Sequence, residues 1–138
     1  MSTFLAAPLQ GPVALNLPFD GQSAGAVRRT LTTWLEHQQA SEVTVHDARL
    51  VATELVSNAV RHAEPLANDT MLVRWHREDD DLVLSVCDGG GSSDPVLVVA
   101  NAEAERGRGL AIVDALSKRW WVQRSHGVHT VHVRLPLF

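Results

Sequence analysis

The sequence contains only one cysteine, Cys87, among its 138 residues. A single thiol excludes an intrachain disulfide and any cysteine-rich zinc site. Because its neighbours Ser85, Val86 and Asp88 are typical of a strand, we interpret Cys87 as a thiol that packs in the core.

Long apolar runs and an excess of basic charge are also absent. No stretch approaches the ~18 apolar residues that a membrane span needs, and residues 1–20 lack the basic start of a signal peptide. A formal charge of -4 gives no overall attraction to phosphate backbones or anionic lipid. We therefore expect a cytoplasmic protein that takes neither nucleic acid nor a membrane as its direct partner.

The composition is that of one globular domain. Apolar residues make up 45% of the chain and charged residues 20%, and the length suits a single domain with a core of ordinary size. We expect an N-terminal tail over residues 1–11 and one domain over residues 12–138, without internal repeats.

Hydrophobic periodicity predicts a strand and two helices in the first half of the chain. Residues 12–18 are typical of a short strand, and their prolines favour the edge of a sheet. Residues 21–39 place apolar side chains at helical spacing. A second helix follows Ser41, its N-cap, and runs to about Ala63, where Pro65 stops it.

The second half of the chain predicts four strands, one helix and one loop. The β-rich runs cover 70–78, 81–88, 120–125 and 129–137, and the helix covers 108–120. The last two strands form a hairpin that turns near His126 and Gly127, while between Gly89 and Gly107 we expect a loop with at most one short helix. Because helices and strands are grouped and not alternated, we predict an α+β fold, a two-layer sandwich with helices on one face of a mixed, mainly antiparallel sheet.

Four polar residues share one stripe of the second predicted helix. At 3.6 residues per turn, Glu54, Asn58, Arg61 and His62 fall within roughly 100° of arc. Aliphatic residues fill the opposite side, which therefore faces the core. The stripe is either solvated or turned towards a ligand, and its spacing alone does not decide between the two.

Two glycine-bearing segments carry further polar chemistry. In "SVCDGGG", Asp88 ends an apolar strand, so its carboxylate can meet a hydrogen-bond donor while the glycines let a flat ring approach the backbone. The alternative is a plain Asp-Gly turn. In "ERGRGLAIV", Gly107 and Gly109 lie where a helix begins, and the free N–H groups there favour phosphate. The alternative is a helix start with solvated arginines, and the absence of GxxxxGK[ST] and of a complete GxGxxG argues against a P-loop or Rossmann site.

Taken in this order, these segments resemble the GHKL, or Bergerat-fold, superfamily of ATPases and kinases. The segment "ELVSNAVRHA" resembles its N box, "DGGG" its first glycine box, "GRGLAIV" its second, and "GVHTVHVRLPL" its closing strand pair. The short chain and the segment "RGRGLAIVDALSKRW" are most similar to the bacterial anti-sigma-factor serine/threonine kinases, which are stand-alone histidine-kinase-like ATPase domains. The resemblance covers roughly residues 12–136.

The resemblance implies a site for ATP and Mg²⁺ and a role for each matched position. Glu54 would be the general base, Asn58 would bind Mg²⁺, and Asp88 would accept a hydrogen from the adenine amino group. Thr130 would reach the same edge of the base through a water. The remaining implied ATP contacts are His62, Gly90, Gly91, Arg106, Gly107, Arg108, Gly109 and Leu110.

The resemblance also implies partners. A kinase of this group would bind a sigma factor and phosphorylate a serine of an antagonist protein, the anti-anti-sigma factor, and a homodimer is expected from the same likeness. The alternative is a nucleotide-sensing, protein-binding module without kinase activity.

The adjacent Trp120 and Trp121 form a further pattern, because neighbouring residues of a strand point to opposite sides. We interpret them mainly as packing residues. An exposed tryptophan could instead serve a partner surface.

Overall fold

The computed structural model describes residues 10–90, 96–99 and 108–138 of the protein. Within these residues the chain forms six strands and three helices. Their order is β1 (Val13–Pro18), α1 (Ser23–His37), α2 (Glu42–His62), β2 (Thr70–Glu78), β3 (Asp81–Asp88), β4 (Val96–Val99), α3 (Arg108–Leu116), β5 (Arg119–Ser125) and β6 (Val128–Pro136). The α+β class predicted from the sequence is confirmed.

The strands form one sheet with the order β1-β2-β3-β6-β5-β4. Every strand pair in the described part of the chain is antiparallel. β1 lies at an edge, as its prolines predicted, and β3 and β6 lie side by side in the middle. The helices pack on one side of this sheet, which confirms the two-layer sandwich.

Alternation along each strand gives the sheet two different faces. The helix-covered face, represented on β6 by Val131, Val133 and Leu135, joins α1 and α2 in one core. The open face, represented on β6 by Thr130, His132 and Arg134, points the other way because successive side chains of a strand alternate. Whether a strand residue can contact the helices therefore depends on whether its position along the strand is odd or even.

The beginning of α2 is fixed by a cap that also ties it to the sheet. The Ser41 hydroxyl accepts a hydrogen bond from the Thr44 backbone N at 3.1 Å, which confirms the predicted N-cap. The Thr44 hydroxyl donates to the Pro136 carbonyl at 2.8 Å, at the end of β6. The position of α2 over the sheet is therefore set at its first turn.

None of the described helices is long and apolar enough to cross a membrane.

The segment between Gly89 and Gly107 contains a strand where we expected a loop with at most one short helix. β4 pairs with β5 so that Val98 lies opposite Val122. Four residues are too few to show a period in the sequence, and the partner strand supplies the hydrogen bonds that make the segment a strand. The rest of this segment, and residues 1–9 of the expected tail, lie outside the described residues.

The two adjacent tryptophans lie on opposite faces, as the alternation predicted. Trp120 is buried on the helix-covered face, and its Nε1 donates to Asp114 Oδ1 at 2.9 Å. Trp121 lies on the open face and stacks on His132, with the ring centroids 5.0 Å apart. Cys87 is buried, as expected.

Removing the Ser41 cap should weaken α2 and the domain with it. Ser41→Ala leaves the Thr44 N–H without its acceptor, so we expect the free energy of unfolding to fall by about 1 kcal/mol. Ser57→Ala is the matched control, because Ser57 is in the same helix and its hydroxyl makes no hydrogen bond within the described residues. Urea unfolding followed by tryptophan fluorescence measures both, and equal losses in the two variants would contradict the capping role.

Candidate functional site

A cavity of about 250 Å³ opens between the C-terminal half of α2 and the neighbouring ends of β3, β5 and β6. One wall is α2 and the other is the helix-covered face of the sheet. The lining residues are Leu55, Asn58, Ala59, His62, Ala63, Val86, Asp88, Gly90, Arg124, His129 and Val131. Polar groups from both layers therefore face one space, with aliphatic side chains between them.

Asp88 places a buried carboxylate at the end of β3. It shares the helix-covered face with Val86 because the two residues are two positions apart, and it is only 2% exposed. Its Oδ1 accepts a hydrogen bond from the Gly90 backbone N at 2.7 Å, and its Oδ2 lies 3.3 Å from His129 Nδ1. An ionised carboxylate offers about four lone-pair positions, so Asp88 can still accept a hydrogen bond from a ligand.

Two backbone hydrogen bonds join the end of β3 to the segment that follows α2. The Gly89 N–H donates to the Glu64 carbonyl at 2.7 Å, and the Glu64 N–H donates to the Gly90 carbonyl at 3.3 Å. A Cβ at Gly89 would overlap the Pro65 carbonyl oxygen. Gly89 is therefore required by this close backbone approach.

Gly90 has its own requirement. Its φ of +62° lies in the left-handed region, and a Cβ there would come within 2.9 Å of His129 Cβ. We expected these glycines to make room for a flat ring, whereas contacts inside the protein already account for Gly89 and Gly90.

The polar stripe of α2 contributes two of its residues to the cavity. Asn58 is half-buried and lines it, and its side-chain amide makes no hydrogen bond within the described part of the chain. His62 is one turn further on the same face, is exposed and also lines the cavity. Glu54 lies one turn before Asn58, is half-buried, and is not among the lining residues. Arg61 is exposed.

The expected phosphate-contacting segment is described only in part. Gly91, Arg106 and Gly107 lie outside the described residues, whereas Arg108 and Gly109 begin α3, as the sequence predicted. Leu110 is buried in the hydrophobic core at 2% exposure and does not line the cavity.

The expected position of Thr130 beside Asp88 is corrected by the structure. Thr130 lies on the open face, where its hydroxyl donates to Cys87 Sγ at 3.3 Å, so the sheet separates it from the Asp88 carboxylate. The residue before it, His129, is on the helix-covered face and contacts Asp88. Thr130 and His129 lie on different faces because a shift of one residue along a strand moves a side chain to the other face.

Sequence reasoning missed His129 and Arg124 as cavity residues. The alternation of side chains along a strand could have found both. His129 is two residues from Val131 and Arg124 is two residues from Val122, so each lies on the same face as its apolar neighbour.

Comparison with known proteins identifies the family. The family described as histidine kinase-like ATPase domain matches residues 17–135, which is most of the chain. The protein belongs to this family. The GHKL resemblance of the sequence segments is thereby confirmed.

A solved structure is similar to this ATPase domain. It is the structure of the RsbU and RsbW domains of Rv1364c from Mycobacterium tuberculosis, with a TM-score of 0.69 and 25% sequence identity. The match covers 91% of this chain and 32% of the other, so this chain spans about a third of that chain's length. No curated protein matches. The family and this neighbour together support a regulatory protein that binds ATP and resembles the anti-sigma-factor kinases.

The cavity of this ATPase domain fits the base end of ATP. Its volume of about 250 Å³ lies just below the ~300–1,000 Å³ of most small-molecule pockets, so it can hold part of a nucleotide. Asp88 has an acceptor position for an amino group, and Val86, Leu55 and Val131 give apolar contacts for a ring. Arg124 lines the same cavity and adds positive charge that suits an anionic ligand.

Adding a methyl group at Gly89 should disturb the backbone pairing that shapes the cavity. In Gly89→Ala the new Cβ overlaps the Pro65 carbonyl, so we expect the free energy of unfolding to fall by about 1–3 kcal/mol. Gly21→Ala is the control, because a Cβ at Gly21 meets nothing within 4 Å. Urea unfolding compares the two variants, and a Gly89→Ala protein as stable as Gly21→Ala would show that the approach is not tight.

Proposed function

We propose that this protein is a Mg·ATP-dependent protein serine/threonine kinase of the anti-sigma-factor type. The observation that carries the proposal is the single cavity shared by the buried Asp88 carboxylate of β3 and the Asn58 amide of α2. The chain belongs to the histidine kinase-like ATPase family, and by the resemblance of its sequence segments Asp88 and Asn58 would take the nucleotide and metal positions.

Asp88 would hold the adenine amino group. Its Oδ1 is fixed by the Gly90 N–H, which keeps the carboxylate in one orientation before any ligand arrives. His129 would hold the second oxygen in place, and this role replaces the one expected of Thr130. Base recognition would then depend on a carboxylate that the protein has already ordered.

Asn58 would give an oxygen ligand to Mg²⁺. Among the described residues no group of three or more His, Cys, Asp or Glu side chains could hold a metal ion, so the other ligands would be phosphate oxygens and water. The ion, when bound with ATP, neutralises charge on the transferring phosphoryl group. Asn58 suits this position because its amide has no partner among the described side chains.

Glu54 would accept the proton of the attacking serine hydroxyl. The serine oxygen forms a bond to the γ-phosphorus while the bond from that phosphorus to the β-phosphate oxygen breaks, so ADP leaves and phosphoserine remains. The phosphates would extend from the cavity towards the beginning of α3. Their contacts would come from Gly91, Arg106, Gly107, Arg108 and Gly109 and from the backbone N–H of Leu110, whose side chain lies in the core, with His62 at the cavity rim.

The proposed partners are a sigma factor and a serine-bearing antagonist protein. Support comes from the resemblance of the sequence segments and from the solved RsbU and RsbW domains that the chain is similar to. Under this proposal the protein acts in transcription regulation, in the cytoplasm and as a homodimer.

One observation favours a second candidate function. Glu54 is not among the cavity-lining residues, whereas Asn58 and Asp88 are. A nucleotide-sensing module that binds ATP and a protein partner without transferring phosphate needs only the latter two residues.

Binding of Mg·ATP should stabilise the wild-type protein through Asn58 and Asp88. A ligand at a hundredfold excess over Kd adds about 2.7 kcal/mol to the stability of the native state, so the melting temperature should rise. Asn58→Ala and Asp88→Asn should lose most of that rise, while their matched controls Ser57→Ala and Asp47→Asn keep it. Thermal melts with and without Mg·ATP measure this, and an equal rise in all five proteins would place the nucleotide elsewhere.

Phosphoryl transfer should depend on Glu54. With a cognate antagonist protein and Mg·ATP, we expect phosphoserine from the wild type and from the control Glu36→Gln, and at least ~100-fold less from Glu54→Gln. Mass spectrometry of the antagonist gives the readout, and the melting shift with ATP reports binding separately. Normal binding without transfer by the wild type would favour the nucleotide-sensing module.

A further inference from the structure

A second concave surface lies on the open face of the sheet. A groove of about 700 Å³ crosses β1, β2, β3, β6 and β5 on this face. None of the three described helices packs on it, since their buried side chains belong to the core on the other side. Because Asp88 and the cavity are on the helix-covered face, the groove is separate from the proposed nucleotide site.

The charges along this groove are predominantly positive, although the whole chain carries -4. Arg74, Arg119 and Arg134 all line it. At one end the lining carboxylate of Glu78 is bound by Arg134 at 2.7 Å. Arg74 and Arg119 make no ion pair with a carboxylate in the described part of the chain.

The carboxylate of Asp81 is also neutralised by cations, at the same end of the groove as Glu78. It is bound by Lys118 at 2.9 Å and by Arg134. Burial tends to raise the pKa of Asp81, but the hydrogen bonds from Arg134 and Lys118 outweigh it and lower the pKa. Hydrogen bonds from Arg134 and His76 lower the pKa of Glu78. Both carboxylates are therefore paired at one end of the groove. Arg74 and Arg119, which have no carboxylate partner among the described residues, lie along the rest of it.

The middle of the groove is held by a chain of ring and hydrogen-bond contacts. His132 Nδ1 lies 2.7 Å from the Ser85 hydroxyl, and its Nε2 lies 3.2 Å from Gln123 Oε1. Trp121 stacks on His132, and the Arg119 guanidinium lies 4.6 Å from the centroid of Trp121. The groups that a ligand would meet are therefore already ordered, which lowers the entropy cost of binding.

His132 is biased towards its neutral form. Burial is the main cause that lowers its pKa, and the nearby charges of Arg74 and His76 lower it further. A neutral imidazole that accepts from Ser85 and donates to Gln123 satisfies both contacts. The positive potential of the groove comes from its arginines.

The geometry points to this groove as a docking surface for an acidic segment of a partner protein. Arginine suits carboxylates because its planar guanidinium can donate two parallel hydrogen bonds. Trp121 offers apolar area beside Arg119 for the side chains between the acidic ones. The docking surface is on the opposite face from Asp88, so a partner can bind there whether or not a nucleotide is present.

Two other occupants fit less well. A second copy placed face to face on this groove would bring Arg74 and Arg119 of one protomer against those of the other. Nucleic acid or an anionic membrane would also meet the exposed carboxylates of Asp79 and Asp80 beside the groove, in a chain that is negative overall. A short acidic segment avoids both repulsions because it needs only the groove.

The docking surface is tested by measuring how a short labelled peptide rich in Asp and Glu binds to the wild type and to variants in which one groove arginine is replaced. Fluorescence anisotropy at low salt should show binding of this peptide and not of the equivalent Asn/Gln peptide. Arg74→Gln and Arg119→Gln should each weaken binding by about tenfold or more, as expected for one lost charge-assisted contact. Arg29→Gln, which removes an exposed charge from α1, is the matched control and should bind as the wild type does.

A nuclear magnetic resonance titration of the wild type locates the contact. The indole N–H signal of Trp121 should move with the acidic peptide, while that of Trp34, which is bonded to the Gly11 carbonyl at 2.9 Å, stays in place. Similar melting temperatures of the variants confirm that they are folded.

The proposal would be overturned if the acidic peptide did not bind, or if Arg29→Gln weakened its binding as much as the groove variants do. It would also be overturned if the Trp121 signal did not move, or if the protein bound DNA or anionic vesicles more tightly than the peptide. A homodimer that is lost in Arg74→Gln, together with no effect of the peptide on it, would assign the surface to a second copy. Because no arm of the experiment contains ATP, its failure leaves the proposed kinase function standing.

Discussion

The short backbone pairing between Glu64 and Gly89–Gly90 is the constraint on which the site depends. It holds the end of α2 against the end of β3, and Gly89 permits the approach because any side chain would overlap the Pro65 carbonyl. Asp88, one residue before the pairing, is thereby placed opposite the polar stripe of α2. The cavity is a consequence of two elements joined at their ends, before any ligand contributes.

The two faces of the sheet separate two kinds of chemistry. On the helix-covered face, a buried carboxylate and an amide share a cavity that suits the family's nucleotide. On the open face, arginines and a stacked Trp121 and His132 pair form a groove on which none of the described helices packs. Since adjacent residues of one strand serve different faces, β6 contributes His129 to the first surface and His132 to the second.

Elements that carry their own signals were predictable from the sequence. The Ser41 cap, the helical stripe of α2, the edge position of β1 and the turn near His126 all follow from local chemistry. β4 was missed because its four residues become a strand only through pairing with β5. Thr130 was predicted to lie beside Asp88 because the resemblance of the sequence segments gives their order along the chain but not the face of the sheet on which each side chain lies. Only the register of β6 with β3 shows which side chain faces the cavity. The reasons for Gly89 and Gly90 are long-range contacts, which no local pattern reveals.

Under the proposed function, Asp88 and Asn58 bind one nucleotide in one cavity. The most direct measurement is a titration of isotopically labelled protein with Mg·ATP, followed through the backbone signal of Gly90 and the side-chain amide signal of Asn58. We expect both signals to move together with a single Kd, because the Gly90 N–H is bonded to the Asp88 carboxylate and Asn58 would contact the metal end of the nucleotide. Signals of Gly90 and Asn58 that stay fixed at saturating Mg·ATP would contradict it.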